Sequence, residues 1–443
     1  MNFISYISNL SQETIALTAM GICYLLLFTE KLNRAVITTM IAAALILIGN
    51  ISQTEAIAAI DFNTISLLTG MMIIINITER SGMFQYVAIW GTKRVKAHPL
   101  GIMIMLGVVT AVFSAFLDNV TTVLLIVPVS LQITQKLEVN PYPYLLLNIF
   151  ASNIGGTATL IGDPPNILIG SALNLNFTDF LFHLAPVVIA IMAALIALFT
   201  YFWGPSMQAS LQNRALVLQI NEKDAITDFN LLYKSLFVLS GVIAGFIFAE
   251  HIGLPNGFIA LFGAAILLLL YTFHLPHTDS DEKVENILNQ IDWTTIFFFS
   301  GLFVIVGALE ASGFLKEMAN YFITITEGSI KKSVFVILGI SAFFSAIVDN
   351  IPFVATMIPM LKSMEEGLGG REIMMPVWWA LSLGACLGGN GTLIGASANV
   401  IVAGIAAREG RPISFARFLI WSIPVMMMSI IIAALFLYVE YFL

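Results

Sequence analysis

The chain has 443 residues, of which 58% are hydrophobic and only 10% are charged, and its net charge at pH 7 is −8. Soluble domains carry about 25% charged residues, so this composition is typical of a protein whose solvent is the lipid bilayer. No basic stripe is present to neutralise phosphates, which excludes nucleic acid as an expected partner. Cys23 and Cys386 lie in separate apolar segments, so the sequence predicts no disulfide framework and no zinc site.

The first half of the chain contains five apolar segments that predict membrane spans, near residues 14–29, 35–49, 62–78, 143–173 and 182–203. The N-terminus lacks the basic region of a cleavable signal peptide, so we expect the first span to be retained. Segment 100–134 is also apolar, but its middle reads LDNVTT. We interpret it as a re-entrant hairpin that enters and leaves on one face, and the alternative is a pair of full spans.

The second half of the chain repeats the first at a nearly constant offset. IDFNTISLLTG (60–70) aligns with IDWTTIFFFSG (291–301), and Asp118 aligns with Asp349, both at an offset of 231 residues. TLIGDPPN (159–166) aligns with TLIGASAN (392–399) at an offset of 233, which a two-residue insertion explains. Such ordered self-similarity over most of each half predicts an internal duplication.

The duplication predicts an equivalent set of spans in the second half, near residues 232–249, 255–273, 293–309, 375–407 and 417–440, with a hairpin near 333–362. Five spans and a hairpin make an odd number of crossings, so the two repeats should be inverted in the membrane. The expected fold is an all-α polytopic membrane protein in which each inverted repeat has about five transmembrane helices, one re-entrant hairpin and a broken helix. The domains are the first repeat, a cytoplasmic linker and the second repeat, at residues 1–204, 205–231 and 232–443.

The distribution of basic residues predicts the orientation. An exterior N-terminus places fourteen of the 19 Lys and Arg residues, Arg34 among them, on cytoplasmic loops, as the positive-inside rule expects. The polar stretch near 205–232 and the acidic stretch 279–292 then become cytoplasmic linkers. We therefore expect a multi-pass protein of the cell's inner (plasma) membrane with its N-terminus outside.

Two spans carry sequences that a continuous helix cannot accommodate. SNIGGTATLIGDPPN (152–166) and CLGGNGTLIGASAN (386–399) concentrate glycine, Thr and Asn, and the first ends in Pro164–Pro165. Proline removes a donor and clashes with the preceding turn, and opened backbone at membrane depth must face protein or a water-filled cavity. Broken helices at matching positions of two repeats predict a transport site.

The candidate substrate- and ion-binding residues lie at the hairpin tips and in the broken helices. They are Asp118, Asn119, Thr121, Thr122, Ser152, Asn153, Gly155, Gly156, Thr157, Thr159, Asp163, Asn166, Asp349, Asn350, Thr356, Gly388, Gly389, Asn390, Gly391, Thr392, Ser397 and Asn399. Backbone, Asn and Thr oxygens suit Na⁺, for which Asn119, Asn153, Asn350 and Asn390 are the candidates. The N-termini of half-helices suit an anionic substrate.

The acidic candidates each have a second interpretation. Asp118 and Asp349 could ligate a cation, carry a proton or cap the hairpin helices. Asp163 aligns with Ala396, so this acid breaks the repeat symmetry and is a candidate for the coupling ion, or it caps the half-helix that begins at Pro164.

Other polar residues of the apolar segments are expected to be structural. Cys386 could offer a thiol to a soft metalloid or be a small buried residue. The repeated acids Glu79, Glu310, Asp61 and Asp292 sit at span ends and are interpreted as interfacial structure. No Lys or Arg lies in the apolar centre of a predicted span, so a charged anion should depend on helix dipoles, amides and a co-bound cation.

Four strings carry a family resemblance: FLDNVTTVLLIVP, NIGGTATLIGDPPN, DNIPFVATMIP and GACLGGNGTLIGASANV. Over nearly the whole chain they resemble the ion transporter superfamily, within it the ArsB/NhaD-type permeases and especially the branch of the pigment-cell P protein and its bacterial relatives. The resemblance implies a scaffold and a transport core, a homodimer and an elevator-type motion. The dicarboxylate symporters of this superfamily carry Ser-Asn-Thr signatures, whereas here Ser152 and Asn153 are followed by a delayed Thr157, which argues against a dicarboxylate.

Three functions remain open at this point. The first is a secondary transporter of a small anion or oxyacid, such as arsenite or antimonite, coupled to H⁺ or Na⁺. The second is a Na⁺/H⁺ antiporter, and the third is a passive anion channel. The sequence shows no nucleophile–base pair, so we expect no enzyme and no cofactor other than the coupling ion. The expected partners are the small solute or ion, the bilayer and a second copy of the chain.

Overall fold

The computed structural model describes residues 11–29, 31–273 and 276–443, and every regular element within these ranges is helical. The helices of the first half are α1 (Gln12–Thr29), α2 (Arg34–Ile48), α3 (Gln53–Ala59), α4 (Phe62–Glu79), α5 (Met83–Arg94), α6 (Pro99–Phe116), α7 (Asn119–Leu137), α8 (Tyr142–Gly156), α9 (Pro164–Leu173) and α10 (Phe177–Trp203). The linker contains α11 (Leu211–Leu218). The helices of the second half are α12 (Phe229–Ile247), α13 (Ala249–Ile252), α14 (Asn256–Thr272), α15 (His277–Leu288), α16 (Trp293–Ala311), α17 (Phe314–Ile325), α18 (Ile330–Ile347), α19 (Asn350–Leu368), α20 (Arg371–Gly388), α21 (Ser397–Arg408) and α22 (Phe415–Phe442).

The predicted all-α membrane fold is confirmed. Among the described residues, nine helices are long and apolar enough to cross a bilayer. The helices α4 to α10 recur in the same order as α16 to α22. The inversion of the repeats and the sidedness stay predictions, and the expected exterior N-terminus lies in residues 1–10, outside the described ranges.

Both predicted breaks are present. The span expected at 143–173 is split into α8 and α9, and the span expected at 375–407 is split into α20 and α21. Pro164 and Pro165 occupy the first two positions of α9, where their missing N–H groups cost nothing. Thr159 donates to the carbonyl of Ala115, and Thr392 donates to the carbonyl of Ala346 at 2.5 Å. The same bond therefore ties each opened segment to the adjacent hairpin in both repeats.

Some elements differ from the sequence expectation. The acidic stretch 279–292 was expected to be a linker, but most of it forms α15. Helices α5 and α17 follow the third span of each repeat. The sequence analysis did not predict them, because each contains charged residues that are typical of loops. Each begins after a glycine in the left-handed region, Gly82 at φ 79° and Gly313 at φ 84°. These glycines allow the chain to turn sharply out of α4 and α16.

The outer helices form a unit that we call the frame, consisting of α1, α2, α4, α12, α14 and α16. Two glycines related by the repeat bring its helices together. A Cβ at Gly70 of α4 would lie 2.5 Å from the carbonyl carbon of Ala260 on α14. A Cβ at Gly301 of α16 would lie 2.6 Å from the carbonyl carbon of Thr38 on α2. Small residues permit such close backbone approach between membrane helices.

The remaining long helices form a unit that we call the core, consisting of the hairpins α6/α7 and α18/α19, the broken helices α8/α9 and α20/α21, and α10 and α22. Its two halves interlock, because α9 packs against α19 and α21 packs against α7. Each half-helix therefore rests on the hairpin of the other repeat. This exchange brings both hairpin tips and both breaks to one place.

The linker between the repeats docks on the end of the first repeat. Lys93 of α5 donates to Glu222 at 2.5 Å, and Thr227 donates to the carbonyl of Arg80. The bond from Lys93 holds the pKa of the Glu222 carboxyl below its usual range. Arg214 donates to the carbonyl of Lys96 at 2.9 Å, so α11 is fixed to the same end.

The glycine crossings predict a stability difference between matched variants. Gly301→Ala and Gly70→Ala each place a methyl group against backbone that cannot retreat, and should destabilise the fold by about 1–3 kcal/mol. Gly339→Ala on α18 is the control, because a Cβ there meets nothing within 4 Å. Thermal unfolding of the solubilised protein should show lower transition temperatures for the first two variants only. Equal stability in all three would contradict the crossing geometry.

Candidate functional site

Four helix N-termini converge on a single cavity of about 570 Å³. Two begin at the hairpin tips, α7 at Asn119 and α19 at Asn350, and two begin at the breaks, α9 at Pro164 and α21 at Ser397. All four residues line the cavity. Helix N-termini carry unpaired N–H groups and a partial positive charge, so the backbone alone makes this cavity favourable for negative charge.

Asp118 neutralises the N-terminus of α7 by capping it. Its Oδ1 accepts from the backbone N–H of Thr121 at 2.8 Å, and its Oδ2 accepts from the Thr121 hydroxyl at 2.5 Å. Both carboxylate oxygens are therefore occupied within the tip. The structure favours the capping interpretation for this residue over the ion-binding one.

Asp349 stands at the equivalent position but is held differently. Pro352 occupies the position of Thr121 in the second repeat and offers neither an N–H nor a hydroxyl. Asp349 Oδ1 accepts only from the N–H of Ile351, at 3.3 Å. Its Oδ2 faces Arg34 at 3.5 Å and the Ser397 hydroxyl at 3.5 Å. The second hairpin tip therefore presents its carboxylate outward, to the frame and to α21.

Asp163 is the third acid at a helix start, and it does not cap its own helix. Its side chain is fully buried, at 0% exposure. Oδ1 accepts from Asn119 Nδ2 at 3.5 Å and from Asn350 Nδ2 at 3.3 Å, one donor from each hairpin tip. Oδ2 lacks a hydrogen-bond partner among the described residues, although Asp163 lines the cavity. A buried, unpaired carboxylate oxygen is costly, and a bound proton or cation would offset that cost.

A network of buried amides lies behind Asp163. Asn153 Nδ2 donates to Asn390 Oδ1 and to Asn399 Oδ1, both at 2.9 Å, while Asn153 Oδ1 accepts from Asn119 at 3.1 Å. Asn390 Nδ2 has no partner among the described residues. The four residues predicted for Na⁺, Asn119, Asn153, Asn350 and Asn390, are thus brought together around Asp163, and Na⁺ binding itself stays a prediction.

Asn166 and Asn399 hold the opened segments in shape. Asn166 Nδ2 donates to the carbonyls of Thr157 and Thr159 at 3.0 and 2.9 Å. Asn399 makes the equivalent bonds to Gly389 and Thr392 at 2.8 and 2.9 Å. These bonds satisfy carbonyls that the break would otherwise leave unpaired.

Cys386 lies beside Asn166 and is not among the residues that line the cavity. Its thiol donates to Asn166 Oδ1 at 3.5 Å, beside a shorter bond from Ser382 at 2.6 Å. The residue is buried at 1% exposure. The structure therefore favours the structural interpretation of Cys386 over that of a metalloid ligand.

Seven of the predicted site residues line the cavity: Asp118, Asn119, Thr121, Asp163, Asp349, Asn350 and Ser397. The others lie behind it or serve packing. Gly155 and Gly388 press against the backbone of Ala111 and Ala342, where any Cβ would overlap, and Gly156, Gly389 and Gly391 are also closely packed. Thr122 donates to the carbonyl of Asp118, and Ser152 to that of Ile149.

Thr356 lies away from the cavity lining, and its predicted role in binding stays a prediction. Its hydroxyl bonds to the hydroxyl of Tyr24 on α1 at 3.0 Å, and it does not line the cavity. It lies two turns along α19 from the tip, which the linear motif could not distinguish from the tip itself. Thr356 therefore joins the core to the frame.

Arg34 is the functional candidate that the sequence reasoning missed. The count of basic residues placed it on a cytoplasmic loop, but it is the first residue of α2 and lines the cavity. Its guanidinium donates to Thr295 Oγ1 at 2.7 Å and to Ser397 Oγ at 3.1 Å. An anion in the cavity would therefore meet a cationic side chain, contrary to the expectation that only dipoles, amides and a co-bound cation would receive it. Its position at the start of a predicted span was the available signal.

Glu79 and Asp292 also line the cavity, although they were expected to be interfacial structure. The expectation holds in part, because Asp292 caps α16 through the N–H of Thr295 at 3.0 Å. Their repeat partners Glu310 and Asp61 are not part of the lining. The cavity therefore opens at the end of the bundle where α4 ends and α16 begins.

A gradient of exposure marks the depth of the cavity. The side chain of Asp292 is 46% exposed, that of Asp349 is 26% exposed, and Asp163 is fully buried. At the opposite end of the bundle, Asn63 accepts from the N–H of Gly257 at 2.8 Å and donates to Ser171 at 2.9 Å. These bonds join α14, α4 and α9 at the end away from the cavity.

A family model described as a citrate transporter matches residues 24–384. The chain belongs to the citrate transporter family. It is 41% identical over 434 residues to an uncharacterized transporter of Mycobacterium tuberculosis, covering 97% of this chain and 99% of that protein. It is 31% identical to the P protein of Sus scrofa, covering 97% of this chain and 60% of that longer protein. The resemblance predicted from the motifs is thereby confirmed.

A solved structure shows the same fold. The YdaH transporter of Alcanivorax borkumensis superposes with a TM-score of 0.61 at 13% sequence identity, over 89% of this chain and 88% of that one. At this identity the likeness concerns the fold alone. It supports a helical membrane transporter architecture and carries no information on the substrate.

The hydrogen bonds of Asn399 and Cys386 predict unequal effects when these two residues of the broken helices are substituted. Asn399→Ala removes one of the two acceptors of Asn153 and both bonds to the opened segment, and each lost buried partner costs about 1–3 kcal/mol. Cys386→Ala removes only weak contacts of the thiol, with Asn166 and with the neighbouring Asp163. We expect Asn399→Ala to lower thermal stability and abolish transport, while Cys386→Ala keeps both. Loss of transport in Cys386→Ala with normal stability would return the thiol to the list of substrate ligands.

Proposed function

We propose that this protein is a secondary active transporter that moves a small anion across the cell membrane together with H⁺ or Na⁺. The observation that carries the proposal is the Asp163 carboxylate. It is buried, it is shared by both hairpin tips, and its second oxygen has no hydrogen-bond partner among the described residues. Membership in a family described as citrate transporters supports an anionic substrate.

The coupling follows from the charge balance at the bottom of the cavity. A proton or Na⁺ on Asp163 removes the negative charge that would repel an anion arriving above it. It also changes what Asn119 and Asn350 bind, because both donate to the same carboxylate oxygen. The co-bound ion therefore favours both substrate binding and a particular position of the two tips, which is the differential affinity that coupling needs.

Alternating access is proposed as a movement of the core against the frame. The cavity lies between Arg34, Glu79 and Asp292 of the frame and the tips and half-helices of the core. At the end away from the cavity, the bond of Asn63 with Ser171 joins the frame to the core. An elevator-type shift would break this bond and form an equivalent one at the other end. The homodimer and the exterior N-terminus are part of this proposal, supported by the family resemblance and the charge distribution.

The delayed Thr157 argues against a dicarboxylate, but the description of the family favours citrate. Citrate and related carboxylates are therefore the first substrate class of the proposal, and oxyacids such as arsenite, which the sequence analysis put first, are the second. The cavity offers a guanidinium, hydroxyls and amides, which suit carboxylate oxygens. It offers no thiol among its lining residues, which disfavours a mode of recognition based on metalloid–sulfur bonds.

A Na⁺/H⁺ antiporter is the second candidate function, and one observation favours it. Among the described residues, the lining carries five carboxylates and the single guanidinium of Arg34. The carboxylates are those of Glu79, Asp118, Asp163, Asp292 and Asp349. Such a surplus of negative charge attracts cations. The two functions share Asp163 and differ in whether an anion moves.

The test is a flux panel in proteoliposomes with citrate, arsenite and chloride, each under a Na⁺ or pH gradient. We expect uptake of at least one anion that depends on one cation gradient. Proton release driven by Na⁺ without any anion movement would support the antiporter, and steady unitary currents without coupling would support a channel. Failure of every anion to move under every gradient would refute the proposal.

The variant Asp163→Asn separates coupling from folding. The amide keeps an oxygen that can accept from Asn119 and Asn350, but it cannot take up a proton and binds cations weakly. We expect a folded protein whose transport no longer responds to the cation gradient. Asp61→Asn is the matched control, because Asp61 caps α4 through Thr64 and lies off the cavity. Unchanged cation dependence in Asp163→Asn would remove this residue from the mechanism.

A further inference from the structure

The guanidinium of Arg34 is incompletely satisfied by its surroundings. Its two hydrogen bonds go to neutral hydroxyls, Thr295 at 2.7 Å and Ser397 at 3.1 Å. The carboxylates of Asp349 and Asp292 stand at 3.5 and 3.7 Å. Charge-assisted bonds between guanidinium and carboxylate normally close to about 2.7–2.9 Å and are often bidentate. Within the described part of the chain, Arg34 therefore faces the cavity without a closely bound carboxylate.

The sequence of the second hairpin tip explains why Asp349 stands near Arg34. In the first repeat Thr121 occupies both oxygens of Asp118. Pro352 cannot do this in the second repeat, so one oxygen of Asp349 is directed towards Arg34 and Ser397. The substitution of Thr by Pro at one tip thus supplies a carboxylate to a guanidinium of the frame.

We propose that Arg34, with the hydroxyl of Ser397, is the subsite that binds a carboxylate of the transported anion, and that Asp349 occupies this subsite as a surrogate until the anion displaces it. The hydroxyl of Thr295 donates to Asp292 and accepts from Arg34, so it holds the guanidinium in position and is not itself a substrate ligand. The inference rests on the proposed function and names the substrate chemistry of the same site. Arg34 and Thr295 belong to the frame, and Asp349 and Ser397 belong to the core. Displacement of Asp349 therefore replaces a frame–core contact by a contact to the substrate and frees the second hairpin tip.

The surrounding charge makes the displacement dependent on a cation. Arg34 contributes one positive charge, whereas Asp292 and Asp349 beside it, and Glu79, Asp118 and Asp163 elsewhere on the lining, are acids. A polycarboxylate added to this set meets net repulsion unless a proton or Na⁺ compensates it. The anion should therefore bind measurably only when the cation is also present. Without the cation, the repulsion from these acids should prevent the anion from binding.

Two substitutions test the displacement because they should act in opposite directions. Calorimetric titration of the protein in lipid nanodiscs, at fixed Na⁺ and pH, would use citrate, succinate and inorganic phosphate as probes. Arg34→Gln should weaken the binding of the best probe about tenfold or more, because the cationic fork is lost. Asp349→Asn should tighten it about threefold or more, because the competing carboxylate is gone.

Two further variants serve as controls. Arg34→Lys keeps the charge but not the planar fork, so its affinity should lie between those of the wild type and Arg34→Gln. Arg94→Gln removes an arginine that stacks on Trp90 away from the cavity, and should bind like the wild type. Size-exclusion profiles establish that each variant is folded before titration.

The outcomes separate this inference from the proposed function. Unchanged affinity in Arg34→Gln or in Asp349→Asn, or equal weakening in both, overturns the inference, since equal weakening is what a purely structural contact predicts. If the wild type transports an anion with cation coupling while Arg34→Gln binds it normally, only the inference fails. If the wild type neither binds nor transports any probe, the proposed function fails and the inference with it.

Discussion

The structure depends on one buried carboxylate that two hairpin tips share. Asp163 lies where the first broken helix resumes, and its neighbours Asn119 and Asn350 come from opposite repeats. Burying a charge in a membrane protein is costly, and the cost is tolerated when polar groups converge on it. The interlocked core achieves this convergence, because each half-helix rests on the hairpin of the other repeat. A change in the charge of Asp163 therefore alters a hydrogen bond of each hairpin tip.

The two repeats share their architecture and differ in their chemistry. Shared contacts shape the core, since Ser114 and Ser345 each donate to a carbonyl of the adjacent broken helix, and Asn166 and Asn399 each close an opened segment. The differences fall on the cavity and its support, at the pairs Asp163 and Ala396, Thr121 and Pro352, and Asn153 and Cys386. A duplicated scaffold therefore positions residues that only one repeat provides. The first repeat provides Asp163 at the start of its half-helix. The second repeat provides Asp349 at its hairpin tip, which faces Arg34, so the two sides of the site differ in their chemistry.

Much of this organisation could be predicted from the sequence, because it depends on short sequence motifs and on their repetition along the chain. The pair Pro164–Pro165 is typical of a helix start, so it indicates the first break, and the constant offset between the repeats reveals the second. The asymmetry of Asp163 was visible from the alignment with Ala396. Helix capping by Asp118 was open as an alternative, and the Thr three residues later supports it in retrospect.

The rest depends on which distant segments pack together. Arg34 belongs to a span of the frame, yet it meets Ser397 across 363 positions of the chain. Glu79 and Asp292 could be recognised as lining residues only once the bundle showed which end is open. Thr356 is the opposite case, since the local motif includes a residue that α19 places against Tyr24 and not in the cavity lining. Pairwise packing of helices from different repeats decided these cases.

The account is tested most directly by hydrogen–deuterium exchange at the two hairpin tips, residues 117–121 and 348–352, with and without the coupling cation. If Asp163 links the tips, adding Na⁺ or lowering the pH should change exchange at both tips in the wild type. In Asp163→Asn neither tip should respond, because the shared carboxylate is gone. A response in the variant equal to that of the wild type, or a wild-type response confined to one tip, would contradict the central role of Asp163.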